Sequence, residues 1–406
     1  MSNGDFPNGT GAPGGGSFAT LASAQRPYRS VSSTVPKDQA TLIVNGINYK
    51  DWESVWVQLR WGEPFDHFRF TAVERDRPVG MFYVLQFVPG EPCQINLGDI
   101  DVINGWLETR QVAYDANRHG IELQGKSSTV WPHKSSVNTQ SGSFDNLSFT
   151  AIARKVLSPF PTGVIQIGDI DETPFLKLQA QKGEMIWDFL ERIARPRGVL
   201  LSSDSYGNTL LIGDHSFPIV NTQLIEGENI KRAQWVFHKE HVWQAYRVDA
   251  QGAAGSTGIM GTDASEMTAT VGGSGQLNSI LITPMETPPT SYAEVLARAK
   301  NEWLWHEGTL IEGTATVQGW FRDEQNIWWP GENVFVYSPM APLNMVMKIQ
   351  SVTFTQDSAN GTETAIELKQ PWALKDRSPY NVGNPMATPS SPEAVEPGKG
   401  PQPIQD

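Results

Sequence analysis

Apolar side chains recur at every second position over much of residues 41–125. Val55, Val57 and Leu59 alternate with other side chains in this way. A period of two is typical of a strand with one buried face, because successive side chains of a strand point to opposite sides. Asn45-Gly46 lies between apolar runs and suits a type I′ hairpin turn, since both residues tolerate positive φ. Many short strands in so short a stretch predict a small β-barrel or β-sandwich. Further strands are predicted around Phe68 and Phe70 and over residues 81–88, 100–109 and 120–125.

The spacing changes in the middle of the chain. Apolar residues recur at helical spacing over 149–156 and again over 186–194. Pro196 and Gly198 follow the second run and are typical of a helix end. A hairpin is predicted next, over 199–212. The middle of the chain is therefore predicted to be an α+β module inserted in a β protein.

The later part of the chain returns to strands after one more helix. Residues 251–279 are rich in Gly, Ala, Ser and Thr, which predicts a mobile excursion. Ser291 and Glu294 have the spacing of a capping box, so a helix is predicted over 291–307. Gly308 suits a left-handed position beyond the helix end. The remaining strands are predicted over 309–321, 332–337, 345–356 and 362–369.

Both ends of the chain have the composition of tails. The first 16 residues are rich in glycine, and residues 375–406 contain seven prolines. We therefore expect an α+β, mainly β fold between two tails. The predicted units are a Gly-rich tail (1–37), a first β-barrel domain (38–135), an α+β domain (136–225), a second β-barrel domain (226–374) and a Pro-rich tail (375–406).

Composition excludes several classes of function. The chain has 406 residues, with 31 Lys and Arg against 44 Asp and Glu, a formal charge of −13. This balance argues against clamping the backbone of nucleic acid. Cys93 is the one cysteine, so we expect no intrachain disulfide and no multi-cysteine metal site. The strongest apolar run, 79–88, is about half the length that a bilayer requires. We expect neither a membrane span nor a signal peptide.

One motif imitates a phosphate-binding loop. Residues 120–127, Gly-Ile-Glu-Leu-Gln-Gly-Lys-Ser, match the pattern G-x-x-x-x-G-K-[ST]. A true phosphate loop follows a strand and opens a helix. Here the central residues alternate as in a strand, and Pro132 would interrupt a following helix. We therefore predict a strand at this position and no binding of ATP through Lys126.

The other candidate sites are weak. Gly-Asp-Ile-Asp occurs at 98–101 and at 168–171, but each copy lacks the further oxygen ligands of a calcium loop, so solvated turn carboxylates are predicted. His238 and His241 lack the spacing of a zinc-binding helix. Cys93 has no local nucleophile signature. We therefore predict no catalytic, cofactor-binding or metal-binding residue and no cofactor.

Tryptophan is abundant, with 14 copies. Such residues can stack on carbohydrate, but core anchors and subunit contacts are the interpretation that we favour. The pairs that stand out are Trp56 and Trp61, Trp303 and Trp305, and Trp328 and Trp329.

Taken in order, four stretches resemble the tail baseplate hub proteins of the phage Mu type. No single motif is specific, but the ordered set covers about residues 41–368. The segments at 251–279 and in both tails have no counterpart in the resemblance. The four stretches are 102–110 with 114–127, 183–201 running into 207–212, 226–230, and 317–320 followed by 327–336.

The resemblance implies a structural virion protein of a contractile tail. Hubs of this family are homotrimers in which two β-barrels per subunit form a pseudo-six-fold ring. The ring joins the tail tube to the central spike and lets the genome pass through its lumen. Implied partners are further copies of the chain, the tail-tube or tube-initiator protein, the spike and the baseplate wedge proteins. DNA is met only in passage, with no stable membrane association. Assembly is expected in the host cytoplasm and the final location in the tail baseplate.

We therefore expect a structural protein and no enzyme. Two alternatives remain open at the level of sequence. The abundant acids and aromatic residues also fit a tail-associated peptidoglycan hydrolase, and the tryptophans fit a carbohydrate-binding receptor protein.

Overall fold

The structure, a computed structural model, describes residues 36–74, 87–114, 119–139, 142–251, 266–289 and 291–376. The strand expected over 81–88 and the tails expected over 1–37 and 375–406 lie mostly outside these ranges. Over the described residues the fold is α+β and mainly β, as predicted. The strands are β1 Ala40–Val44, β2 Ile47–Tyr49, β3 Ser54–Arg60, β4 His67–Glu74, β5 Pro92–Leu97, β6 Ile100–Tyr114, β7 His119–Ser127, β8 Val164–Ile167, β9 Leu200–Ser203, β10 Thr209–Ile212, β11 Leu224–Ile225, β12 Ile230–Phe237, β13 Trp243–Gln251, β14 Glu266–Gly272, β15 Gln276–Pro284, β16 Ile311–Gln318, β17 Asn333–Ser338, β18 Leu343–Asp357 and β19 Gly361–Lys369.

The predicted hairpin turn and helices are present. Asn45 and Gly46 have φ angles of 51° and 77° and join β1 to β2. The second predicted helix ends at Gly198, whose φ of 63° places it in the left-handed region and lets its N–H reach the last carbonyls. The helices are α1 Val130–Lys134, α2 Phe149–Leu157, α3 Ile186–Arg197 and α4 Tyr292–Gly308, followed later by a short 3-10 helix, Pro371–Leu374.

The ends of α4 differ from the prediction. Ser291 occupies the N-cap position, but its side chain makes no capping hydrogen bond there. Gly308 is the last helical residue and not a left-handed cap. A Cβ at Gly308 would lie 2.7 Å from the backbone nitrogen of Ala373, so glycine is needed for close approach to the 3-10 helix.

One large sheet contains thirteen strands. Its order is β12-β16-β19-β18-β3-β4-β7-β6-β5-β1-β2, with β17 also on β18 and β11 on β17. Strands from the two ends of the sequence meet where β3 pairs with β18, in a register that sets Val57 opposite Phe354. The side chains beneath this seam, including Val57, Leu59 and Phe354, belong to one continuous apolar core.

The expectation of two separate closed barrels is not met by the described strands. They form one continuous path whose ends, β12 and β2, are each paired on one side. The physical reason lies in β18, which pairs with β17 through its first half and with β3 through its second half. The edges of β3 and β18 therefore join the strands from the two ends of the sequence into one sheet, and they do not close either set of strands into a barrel.

Two smaller sheets accompany the large one. The sheet β8-β10-β9 lies with α2 and α3 and has its own core, which contains Phe149, Phe189 and Leu211. The sheet β14-β13-β15 packs on α4. Residues 266–272 and 276–284 are therefore strands where composition predicted an excursion over 251–279, because each forms a regular ladder with β13. Residues 252–265 of that segment lie outside the described residues.

Candidate assembly surfaces

Strand β12 forms one end of the large sheet and is largely open to solvent. Six of its eight residues are exposed, and its hydrogen-bonded neighbour among the described strands is β16. Val236 and Phe237 are 44% and 41% exposed. An open strand edge with apolar side chains is a site where another chain can add a strand. Such an edge on a folded protein indicates an assembly surface.

A buried carboxylate fastens this edge to the sheet. The Glu363 side chain, on β19, is 2% exposed and contacts both Lys231 and Arg232 of β12. The Arg232–Glu363 ion pair measures 2.8 Å. This contact reaches across β16, which lies between β12 and β19. It therefore orders the start of β12, although the outer side of β12 has no backbone partner among the described strands.

Strand β15 is a second open edge. It pairs with β13 on one side in the described part of the chain. Leu277, Ile280 and Ile282 are 77%, 45% and 48% exposed. The opposite face of β13 is covered by α4, with Val248 and Ala250 buried there. The outer edge of β15 therefore presents apolar side chains that the fold itself does not cover.

The residues of the false phosphate loop lie in the middle of the large sheet. Residues 120–127 form most of β7 and pair with both β4 and β6, which confirms the strand prediction. Lys126 forms an ion pair of 2.6 Å with Glu108 of β6. A Cβ at Gly125 would lie 2.3 Å from Phe68 and 2.2 Å from the Trp106 carbonyl. The glycine is therefore needed for packing.

The two Gly-Asp-Ile-Asp copies have different environments. Asp99 lies in the turn between β5 and β6, and Asp101 is exposed. Asp171 is not simply a solvated turn carboxylate, because it contacts Arg197, whose side chain is 2% exposed. Burial raises the pKa of Asp171, but hydrogen bonds from Thr173 and the Arg197 guanidinium outweigh it and hold that pKa below its usual range.

The histidine pair and the cysteine show no sign of reactivity. The rings of His238 and His241 are 6.2 Å apart, and Glu240 approaches His241 Nε2 to 3.6 Å. Cys93 is buried, and burial raises the pKa of its thiol to about 12, far from a reactive thiolate. Within the described ranges, no group of three or more His, Cys, Asp or Glu side chains is placed to hold a metal ion.

The tryptophans divide between core and surface. Trp61, Trp328 and Trp329 are buried, as the core interpretation predicts. Trp305 is 43% exposed on α4. None of the helices in the described part of the chain has both the length and the apolar character needed to cross a bilayer.

Comparison with known proteins gives matches to phage baseplate proteins over part of the chain. Residues 39–127 match the family model of the Mu phage baseplate assembly protein GpP-like N-terminal domain. Residues 134–213 match that of the second domain of baseplate hub protein gp44-like proteins. Baseplate hub protein gp44 of Escherichia phage Mu is 22% identical over 288 residues, which are 69% of this chain and 75% of that protein.

Solved structures agree with these family matches. The 43 kDa tail protein of prophage MuSo2 from Shewanella oneidensis superposes with a TM-score of 0.70 and 25% identity, covering 84% of this chain and all of that one. The tail protein from Neisseria meningitidis MC58 also has a TM-score of 0.70, with 18% identity, and covers 83% of this chain and 98% of that one.

Together these findings define the class: the protein is a structural component of a phage tail baseplate. Its place is therefore in the tail of the virion. Within that class, the matched domains and the matched curated relative are those of baseplate hub proteins of the phage Mu type. The resemblance inferred from the sequence is confirmed.

The sequence analysis missed the open edges. Strand β12 was not predicted, and β15 lies partly in a segment assigned to an excursion. The short apolar run Ile280-Leu281-Ile282 was the available signal for β15. For β12 no comparable alternation exists, because exposed residues such as Lys231 and Gln234 fill most of the strand.

Proposed function

We propose that three copies of this chain form a ring that is the central hub of the baseplate. The open ends of the large sheet are the observation that carries the proposal. Strand β12 at one end and β2 at the other each have a free edge in the described structure. A head-to-tail contact between copies covers both edges and closes when the rotation fits. The family resemblance supplies the number three.

The proposed division of labour follows the predicted domains. Residues 38–135 and 226–374 contribute the two β units of each copy to the ring, and residues 136–225 form the α+β unit between them. The limits of the matched family models, 39–127 and 134–213, support this division. Obligate interfaces of this kind bury about 2,000 Å² or more and are rich in apolar residues.

We propose further that the ring joins the tail tube to the spike and that its lumen passes DNA without binding it. The excess of acidic residues supports a lumen that repels the phosphate backbone. The purified protein is accordingly expected not to retard duplex DNA at low salt. Binding of duplex DNA by the purified protein at low salt would contradict the proposal of an acidic lumen.

The hub is proposed to act without catalysis. Its relatives are structural baseplate proteins, and this supports the proposal. Zymography on peptidoglycan tests it. A clearing band that disappears on substitution of one carboxylate would favour the hydrolase alternative instead.

The mass of the purified protein in solution, measured with and without the spike protein, tests the ring. Three copies of the 44.8 kDa chain give about 134 kDa, and the spike is expected to add to that mass. Phe237→Asp on the open edge is expected to lower the mass toward that of one chain, because a buried unpaired charge opposes association. Met340→Asp is the matched control, since Met340 is 88% exposed in the turn between β17 and β18. A monomeric wild-type protein would contradict the proposal.

A further inference from the structure

A groove lies between α3, α4 and the 3-10 helix that ends the described chain. Its volume is about 540 Å³, within the range of binding pockets for small ligands and short peptides. Trp187 of α3, Trp305 of α4 and Trp372 of the 3-10 helix all line it. None of the three is buried, and Trp305 is 43% exposed. The groove thus exposes three indole rings from three different elements.

Several of the polar groups around the groove are engaged with one another. Glu191 pairs with Arg195 at 2.6 Å, and Arg298 pairs with Glu302 at 2.6 Å. Lys375 donates a hydrogen bond of 2.7 Å to Asn301. Because the lining contains three acidic and three basic side chains, it does not select a strongly anionic or cationic ligand. The aromatic surface is what the groove offers to an occupant.

The described chain ends next to this groove. Lys375 lines the groove, and the next residue, Asp376, is held in the protein interior by Lys348 and Asn333. Residues 377–406 therefore begin two positions after a residue of the groove lining. Their point of departure is fixed by a buried ion pair.

The sequence of this segment fits an aromatic groove. Residues 377–406 contain seven prolines and carry two basic residues against three acidic ones. Proline-rich segments adopt an extended polyproline helix that loses little entropy on docking, and they bind grooves lined by aromatic rings. A nearly neutral segment also matches a lining with equal numbers of acidic and basic side chains.

We propose that the proline-rich segment 377–406 docks in the Trp187–Trp305–Trp372 groove of its own chain. Tethering at Asp376 makes the contact intramolecular, so an effective concentration of about millimolar supports docking even when the intrinsic affinity is weak. Each residue of an extended polyproline segment advances about 3.1 Å, so the 30 residues beyond the anchor are long enough to reach the groove. The docked segment covers the three indole rings.

Limited proteolysis of the full-length protein tests this docking. Subtilisin cleavage within 378–397, followed by mass spectrometry, is expected to be about fivefold faster or more in Trp305→Ala than in the wild type, because cleavage follows the population of the undocked segment. Trp131→Ala is the matched control, since Trp131 is 49% exposed on α1 and does not line the groove. Equal cleavage of the segment in Trp305→Ala and the wild type would overturn the proposal.

A second measurement is independent of any change in the groove. In 5-fluorotryptophan-labelled full-length protein, alanine at Pro385, Pro389 and Pro392 is expected to shift the fluorine resonance of Trp305. The resonance of Trp131 is expected to stay in place. An unchanged Trp305 resonance would overturn the proposal. The proposal would also be overturned if a peptidoglycan oligosaccharide shifts the Trp305 resonance of the wild type while the proline substitutions leave that resonance in place.

Both readouts lie within one chain. They are therefore separate from the mass measurement that tests the ring. The docking proposal can fail while the ring proposal holds, and the reverse is also true.

Discussion

Lys348 Nζ lies 3.1 Å from Asp376 Oδ2, and both side chains are wholly buried. The ammonium group also donates to the Gly331 carbonyl at 2.8 Å and lies 3.5 Å from the centre of the Phe217 ring. Asn333 donates a further hydrogen bond of 2.6 Å to the same carboxylate. Burial lowers the pKa of Lys348 to about 8, although the Asp376 charge opposes that shift. The last described residue is thereby fixed to the central strand β18.

Removing this carboxylate is expected to weaken the fold strongly. Asp376→Ala leaves a buried ammonium group without its charge partner, which costs about 3–5 kcal/mol in the free energy of unfolding. Urea denaturation of the variant and the wild type measures the difference. Glu324→Ala, at an exposed position, is the control and is expected to change stability by less than about 0.5 kcal/mol. Equal loss in both variants would contradict the role of the ion pair.

The glycines of the false phosphate loop are expected to differ in importance. Gly125→Ala places a Cβ against Phe68 and the Trp106 carbonyl, so it is expected to destabilise by about 1–3 kcal/mol. Gly120→Ala is the control in the same strand, because its Cβ would meet one atom, at 3.8 Å. Thermal unfolding of both variants measures the contrast. If the loop bound phosphate, Gly125→Ala would instead lower the affinity for a nucleotide.

ATP is expected not to bind at Lys126. Its ammonium group is paired with Glu108 on the neighbouring strand, and residues 120–127 lie within a sheet and not at the start of a helix. Equilibrium dialysis with labelled ATP is expected to give the same background for the wild type and Lys126→Ala. Saturable binding that is lost in the variant would show that the motif is functional.

His133 is expected to make the fold sensitive to mild acid. Burial lowers its pKa to about 4, and its Nε2 lies 3.1 Å from Thr209 Oγ1. The folded state favours the neutral ring. The contribution of His133 to the free energy of unfolding is therefore complete above the pKa of the unfolded state, about 6.5, and is lost as the pH falls toward 4.

Between pH 7.5 and pH 5.5, this residue is therefore expected to remove about 1 kcal/mol from the free energy of unfolding. Urea midpoints at the two pH values, compared between the wild type and His133→Gln, measure it. The variant is expected to be less stable at pH 7.5 but less sensitive to the change. An identical pH dependence in both proteins would assign the effect to other groups.

Much of the local structure of this protein could be predicted from its sequence. The alternation around Val57 and the helical spacing from Ile186 predicted elements that the structure contains, because one buried face imposes its period on the residues that line it. The left-handed turn at Asn45-Gly46 was predictable for the same reason: it depends on the residues of the turn itself.

The capping of α4 shows where local rules stop. Ser291 and Glu294 have the right spacing, but the side chain of Ser291 makes no capping bond in the fold. Gly308 is explained by the approach of Ala373, which lies 65 positions further along the chain. A contact of that kind leaves no signature near the glycine.

The sequence by itself indicated many of the strands and helices, though not β12, and its ordered motifs were sufficient to indicate the family. Tertiary structure alone decided that β3 pairs with β18, that Lys348 meets Asp376, and that three tryptophans from separate elements surround one groove. These contacts join residues that are distant in the chain, and the choice among possible partners depends on the packing of the whole core and not on any local period.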